Sequence, residues 1–263
     1  MGETKIEWTD YTFNPWIGCA RVSKGCVHCY AEALAKRFGT AEWGVDKARV
    51  RTSAEYWGKP AAWNKAAAAA GQRRRVFCAS MADVFEERPE LDAWRAELWR
   101  LIEQTPALDW LLLTKRPQNV MAMVPEAWRA GLPPNVWVGA SVEDQEAAQA
   151  RIPALAKVPA RVRFLSAEPL LGPVNLERLL RPDGWRTKPF HWVIVGGESG
   201  PGARAMDPQW AHELVRQCNE AGVTVFMKQM GSAWAAGKGG DRKGAQPTRW
   251  PQALRVREFP YVR

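Results

Sequence analysis

The order of apolar runs and helical stripes along the chain predicts an α/β fold: a partial (β/α)6-type barrel of parallel strands with an extra C-terminal strand and a basic tail. Three observations predict it. Short, nearly continuous apolar runs alternate with helix-patterned stretches, the pattern of parallel strands buried on both faces. Each run ends in a polar cluster, and in a barrel those ends open on one working face. No Gly-x-Gly-x-x-Gly fingerprint follows the first run, which argues against a dinucleotide-binding sheet.

Taken in order, residues 12–18 (Thr-Phe-Asn-Pro-Trp-Ile-Gly) read as a strand running into a cysteine-rich loop. Tyr30, Leu34 and Phe38 then recur at helical spacing. An insertion over about 39–75 is rich in Trp and Arg, and its alanines 66–70 predict a helix end stopped by Gly71. Arg75–Ala79 is the next strand, with Ser80-Met-Ala-Asp83 at its end, and Trp94, Leu98, Leu101 and Ile102 mark one face of the helix that follows. Strands at Asp109–Leu113, Asn135–Gly139, Arg161–Leu165 and His191–Val195 end at Thr114–Arg116, Ser141–Gln145, Ser166–Pro169 and Gly196–Ser199 respectively. Asp207-Pro208 opens a helix in cap-then-proline style, with Trp210, Leu214, Val215 and Cys218 on its apolar face. Val223–Met227 is the last strand, ending at Lys228-Gln229. Residues 1–232 read as the barrel domain and 233–263 as a basic, loop-like extension containing the glycine-rich run Gly237–Gly244.

At 263 residues, 46% hydrophobic and 25% charged, the composition is that of a globular chain. No apolar run is long enough to span a membrane, and the first residues lack the apolar core of a signal peptide. Five cysteines, three of them clustered, do not resemble a secreted disulfide framework, so a reducing cytoplasm is the expected setting. The formal charge of +9 is uneven: residues 36–75 hold ten Lys/Arg against three Asp/Glu, and residues 234–263 hold seven against two. Such segments, interleaved with Trp43, Trp57, Trp63, Trp234 and Trp250, suit a nucleic-acid partner, with rings on bases and cations on phosphates. A solvated basic surface reads equally well.

The chemistry concentrates at Cys19, Cys26 and Cys29, spaced Cys-x6-Cys-x2-Cys within eleven residues. Thiolates this close hold zinc or an iron–sulfur cluster. Zinc needs a fourth ligand: His28 sits between two of the cysteines, and His191 and His212 are distant in sequence. Three thiolates suit a [4Fe-4S] cubane, whose fourth iron takes a non-protein ligand. Elsewhere, Cys78 and Cys218 read as small buried hydrophobes.

The chain resembles the radical S-adenosylmethionine superfamily, closest to a phage-associated and bacterial three-cysteine branch of largely unassigned function, and is more distantly similar to spore photoproduct lyase. The resemblance covers about residues 1–232. It rests on Asn14-Pro-Trp-Ile-Gly-Cys19, Gly25-Cys-Val-His-Cys-Tyr-Ala-Glu32, Cys78-Ala-Ser-Met-Ala-Asp-Val-Phe85, Leu113-Thr-Lys-Arg-Pro117, Gly139-Ala-Ser-Val-Glu143, Ser166-Ala-Glu-Pro169, Val195-Gly-Gly-Glu-Ser-Gly200 and Lys228-Gln-Met-Gly231. The x6 loop departs from the superfamily's usual x3 spacing, so the fine geometry around the cofactor does not carry over.

The resemblance implies that Cys19, Cys26 and Cys29 ligate a [4Fe-4S] cluster whose open iron chelates S-adenosylmethionine, and that a reductant such as flavodoxin or ferredoxin supplies the electron. A 5′-deoxyadenosyl radical then abstracts hydrogen from a substrate. It places His28 beside the adenine, and Asp83, assisted by Ser80, on the cofactor's ammonium. Ser141 and Glu143 would meet ribose or carboxylate, Lys115 and Arg116 the cofactor carboxylate or a substrate phosphate, and Glu168 the ribose or substrate. Gly196 and Gly197 would allow close backbone approach to a ligand. Against these roles, Ser80, Asp83 and Ser141 also suit helix caps, His28 a solvent-facing imidazole, Lys115 and Arg116 a solvated loop pair, and the Gly-Gly pair a tight turn. Two other readings stay open: a non-catalytic zinc protein that binds nucleic acid, and a cluster protein that only transfers electrons.

Overall fold

The structure is a computed structural model that describes residues 4–180, 189–236 and 241–261. In chain order the strands are β1 (Tyr11–Phe13), β2 (Trp16–Ile17), β3 (Val50–Arg51), β4 (Arg74–Cys78), β5 (Leu108–Thr114), β6 (Val136–Ser141), β7 (Val162–Ala167), β8 (Trp192–Gly196) and β9 (Thr224–Gln229). The helices are α1 (Tyr30–Phe38), α2 (Ala54–Ala69), α3 (Asp92–Glu103), α4 (Val120–Met123), α5 (Gln145–Ala156), α6 (Glu177–Leu180), α7 (Pro208–Ala221) and α8 (Ser232–Ala235). Seven strands form one sheet in the order β1-β4-β5-β6-β7-β8-β9. Strand order follows chain order and the sheet is flanked by helices, as the alternating sequence pattern predicts for a partial barrel.

The chain divides into two compact units. Unit 1 (1–22, 31–139 and 158–161) carries the parallel ladders β1–β4 and β4–β5, with Tyr11 opposite Val76 and Arg74 opposite Leu108. Unit 2 (23–30, 140–157 and 162–263) carries the parallel ladders β7–β8 and β8–β9, with Phe164 opposite Trp192 and Trp192 opposite Thr224. Every residue of β6 and β8 is buried, which is why their sequences read as unbroken apolar runs.

Several sequence expectations shift. The run at 12–18 is not one strand. β1 ends at Phe13, and after Pro15 the two-residue β2 pairs antiparallel with β3. Pro15 has no N–H for a ladder, and the Asn14 side chain takes the Met81 amide at 2.8 Å, fixing the turn between the two pieces. Helix α1 forms as its spacing predicts but buries Ala31 and Ala35, leaving Tyr30, Leu34 and Phe38 exposed. On α3 the buried face keeps the expected Leu98 and Ile102 but has Arg95 and Trp99 in place of Trp94 and Leu101, which are half-buried. Arg95 belongs there because its guanidinium donates to the carbonyls of Val84 (2.9 Å) and Glu86 (2.8 Å). Ser141 lies inside β6, and Asp144 caps α5 by accepting from the Ala147 amide at 3.0 Å.

The α2 and α7 boundaries match their sequence signals. Ser53 caps α2, which gives way to Gly71 in the left-handed region (φ 62°). Asp207 caps α7, Pro208 is its first residue, and left-handed Gly222 ends it. The apolar face of α7 omits half-buried Trp210 and includes Ala211 and Gln217 beside Leu214, Val215 and Cys218.

Most of the described tryptophans are core. Trp57, Trp63 and Trp250 are buried, which overturns their reading as exposed stacking platforms; Trp43 and Trp234 are half-buried. Nor is the tail simply loop. Trp250 donates Nε1–H to the Gly244 carbonyl at 2.8 Å, Leu254 is buried, and Arg257 forms an isolated bridge to Phe226 of β9. Gly237–Gly240 of the glycine-rich run lie outside the described residues. Among the described residues, no helix is long and apolar enough to cross a membrane.

Candidate functional site

In unit 1 the site is built from the Trp16–Ala20 segment and the C-terminal ends of β4 and β5. Gly18 donates its N–H to the Met81 carbonyl (3.0 Å), the Cys19 carbonyl accepts from Gly44 N (3.1 Å), and Ala20 N donates to Glu86 Oε1 (3.1 Å). The Ala20 carbonyl accepts from Arg116 Nη2 at 3.1 Å. Gly18 has φ 116°, and a Cβ there would sit 2.9 Å from Arg49 Cδ, so only glycine lets the loop lie this close. Glu86 is held by Arg49, whose Nε and Nη2 lie 2.8 and 2.7 Å from its two oxygens.

Asp83 closes the network. Its Oδ1 accepts from Thr114 Oγ1 (2.7 Å) and Phe85 N (3.0 Å), and its Oδ2 from Lys115 N (3.1 Å) and Arg116 Nη1 (2.9 Å). A carboxylate has about four lone-pair sites, so Asp83 is filled by the protein itself. Its observed part is to tie the β4 and β5 ends together and aim Arg116, not to await an ammonium group. Ser80 pairs with the Asn14 side-chain amide at 3.2 Å and caps no helix. Arg116 Nη1 also lies 4.0 Å from Cys19 Sγ. Burial first, then the charges of Asp83 and Glu86, push the Cys19 thiol up to about 12, with Arg116 pulling the other way.

In unit 2 the loop carrying Cys26 and Cys29 meets the ends of β6 and β8. Ser23 Oγ donates to Glu143 Oε1, and Arg151 Nη1 pairs with the other Glu143 oxygen while donating to the Ser141 carbonyl at 2.8 Å. Glu143 lies so close over Gly25 that a Cβ there would be 2.6 Å from Oε1. Cys26 Sγ is 3.9 Å from Ser23 Oγ. His28 Nδ1 lies 3.0 Å from Glu198 Oε2, so the ring is anchored to the β8 end. Arg204 grips the same carboxylate through its amide (2.8 Å), Nε (3.0 Å) and Nη2 (2.5 Å). Burial opposes ionisation of Glu198, but Arg204 and His28 outweigh it and hold the carboxyl at about 2.

Glu168 Oε1 pairs with Lys228 Nζ at 2.5 Å, and a Cβ on Gly196 would sit 3.3 Å from the Glu168 side chain. Gly197 answers to the protein's own backbone: a Cβ there would be 2.3 Å from the Met230 carbonyl oxygen. Its need for glycine is packing against the β9 end rather than approach to a ligand.

Among the predicted positions, unit 1 therefore brings together Cys19, Asp83 and Lys115 near Ser80 and Arg116, and unit 2 links Glu143 to the Ser23–Cys26 turn and His28 to Glu198. Sequence reasoning missed Glu86, Arg49, Arg151 and Arg204. Arg49 lies 37 positions along the chain from Glu86, and Arg151 sits inside helix α5, so no local spacing singles out either as a glutamate partner. Cys78 and Cys218 are fully buried, as expected of core thiols, and burial raises both.

All three loop cysteines are free and half-buried, so the donor set fits a thiolate-bound metal centre. Among the described residues, no three or more His, Cys, Asp or Glu side chains are already gathered as a metal-binding group. Fold and site together define a mixed α/β protein with a parallel sheet and a free-cysteine loop anchored at its strand ends. Over residues 3–254 the chain matches the family described as "Protein of unknown function (DUF5131)", and it belongs to that family. Comparison with curated proteins and with solved structures gives no significant match.

Proposed function

We propose that this chain is a radical S-adenosylmethionine enzyme whose Cys19, Cys26 and Cys29 hold a [4Fe-4S] cluster. One observation carries the reading: three unpaired, half-buried thiols on one short loop, the first of them held by backbone and side-chain contacts on both flanks. When bound, the cluster and S-adenosylmethionine supply reductive sulfonium cleavage and a 5′-deoxyadenosyl radical for hydrogen abstraction. The chain's own residues bind and orient. Glu86 and Arg116 fix the Cys19 end of the loop, and Glu143 holds the Ser23–Gly25 turn before Cys26. Ser80, Lys115 and Glu168 remain the side chains proposed to meet the cofactor or substrate. His28, steered by Glu198, is proposed to flank the adenine.

A flavodoxin- or ferredoxin-like reductant in a reducing cytoplasm completes the proposal. A nucleic-acid substrate would be held by Lys and Arg rather than by the buried rings of Trp57, Trp63 and Trp250. Its affinity would then fall steeply with salt, and a flat salt dependence measured by fluorescence anisotropy would remove nucleic acid from consideration. The enzymatic reading is tested by anaerobic reconstitution with iron and sulfide, followed by reduction with S-adenosylmethionine and an assay for 5′-deoxyadenosine. Zinc as the only bound metal, with no cofactor cleavage after reconstitution, would overturn it.

A further inference from the structure

Arg116 stands with its guanidinium against a cysteine sulfur. Its Nη1 is 2.9 Å from Asp83 Oδ2 and 4.0 Å from Cys19 Sγ, its Nη2 is 3.1 Å from the Ala20 carbonyl, and Glu86 lies 3.7 Å away. The side chain is 11% exposed, so these contacts are made largely away from water. Asp83 is saturated, and its remaining partners come from the β4 and β5 ends. The guanidinium is thus aimed by a rigid carboxylate at one residue of the loop, not presented to a ligand. A planar fork with fixed donors suits this task, because a single ammonium cannot reach carboxylate, sulfur and carbonyl together.

From this geometry we infer that Arg116 is a positioning residue for Cys19: it immobilises the loop through the Ala20 carbonyl and directs an N–H at Sγ, drawing electron density from that sulfur. The second half rests on the cluster reading above. Hydrogen bonds and positive charge at a ligating sulfur favour the reduced state of an iron–sulfur centre, so Arg116 raises its potential. The expectation that Lys115 and Arg116 neutralise a cofactor carboxylate gives way, for Arg116, to this role.

The test compares Arg116→Gln and Arg116→Lys with the wild type in two measurements. In metal-free protein, amide hydrogen exchange is followed at Gly18 and Ala20, whose N–H groups bond Met81 and Glu86. Loss of a charge-assisted bond of about 1.4 kcal/mol predicts roughly tenfold faster exchange there in both variants. Amides of β8 and β9, in the other unit, should be unchanged. In reconstituted protein without S-adenosylmethionine, the midpoint potential is read by EPR-monitored titration. The Gln variant should titrate at a more negative potential, and the Lys variant, which keeps the charge, close to wild type. Unchanged exchange at Gly18 and Ala20 would overturn the positioning role. An unchanged potential in the Gln variant, with faster exchange, would overturn the electronic role alone. A wild type that takes up no iron and sulfide would sink the cluster reading and the electronic role with it, while the exchange measurement still decides the positioning role. Should the Gln variant fail to fold, the Lys variant decides: faster exchange at Gly18 and Ala20 supports positioning, and wild-type exchange overturns it.

Discussion

Glu86 shows how much of this site depends on single buried charges. Its carboxylate takes the Ala20 amide and both prongs of Arg49, whose side chain is 0% exposed. Removing one partner of such a pair strands the other without water or counter-charge, at about 3–5 kcal/mol. Glu86→Ala should therefore lower the unfolding free energy read from urea titration by that much, moving the midpoint to lower urea, and loosen the loop before Cys19. A midpoint within error of wild type would mean that Arg49 finds another partner. Glu198 makes the complementary statement about pH. Its carboxyl is depressed from an ordinary 4.5 to about 2, so the stability it contributes is complete above pH 4.5 and is lost as pH falls toward 2. Between those limits the wild type should lose up to about 3 kcal/mol that Glu198→Gln does not lose, as read by denaturant titration at each pH. Equal slopes for the two proteins would show that Arg204 does not hold the ionised form. Neither glutamate's partner was legible in the sequence. Arg49 sits in a stretch whose many cations suggested a basic surface, and nothing local marks it as the one turned inward.

At the scale of elements, the sequence was informative where burial is two-sided. β5, β6 and β8 are almost wholly enclosed, so their apolar runs left little choice of structure. The helix caps Asp207-Pro208 and the stop at Gly71 were equally readable, because each is a local backbone requirement. Periodicity failed on α1. Tyr30, Leu34 and Phe38 form a helical stripe, yet the face that packs inward is Ala31 and Ala35. Spacing identifies a face without stating which way it turns. Gly197 illustrates a different ambiguity, since a glycine beside a strand end suits either a ligand or another backbone. Here a Cβ would come within 2.3 Å of the Met230 carbonyl. Gly197→Ala should cost about 1–3 kcal/mol in thermal unfolding through overpacking at the β8 and β9 ends. A variant as stable as wild type but impaired in ligand binding would return Gly197 to the ligand-contact role.

For the whole molecule, the alternation of strands and helices carried the fold class, and the cysteine spacing carried the candidate chemistry. The tail was less legible. Its glycines and charges suggest a loop, whereas Trp250 and Leu254 are buried, held by an indole bond to Gly244 and a bridge from Arg257 to β9. One tryptophan outweighs many polar neighbours when it finds a pocket, because a large ring contributes more burial than any other side chain. The same rule explains why Trp57 and Trp63 belong to the core despite their basic surroundings. The most direct measurement is iron and sulfide content after anaerobic reconstitution, made on the wild type and on Cys19→Ala, Cys26→Ala and Cys29→Ala separately. The wild type should bind about four irons and four sulfides per chain and yield 5′-deoxyadenosine on reduction with S-adenosylmethionine, and each single variant should lose both properties. Wild-type protein that binds only zinc, or variants that keep their iron and sulfide, would contradict the proposed cluster.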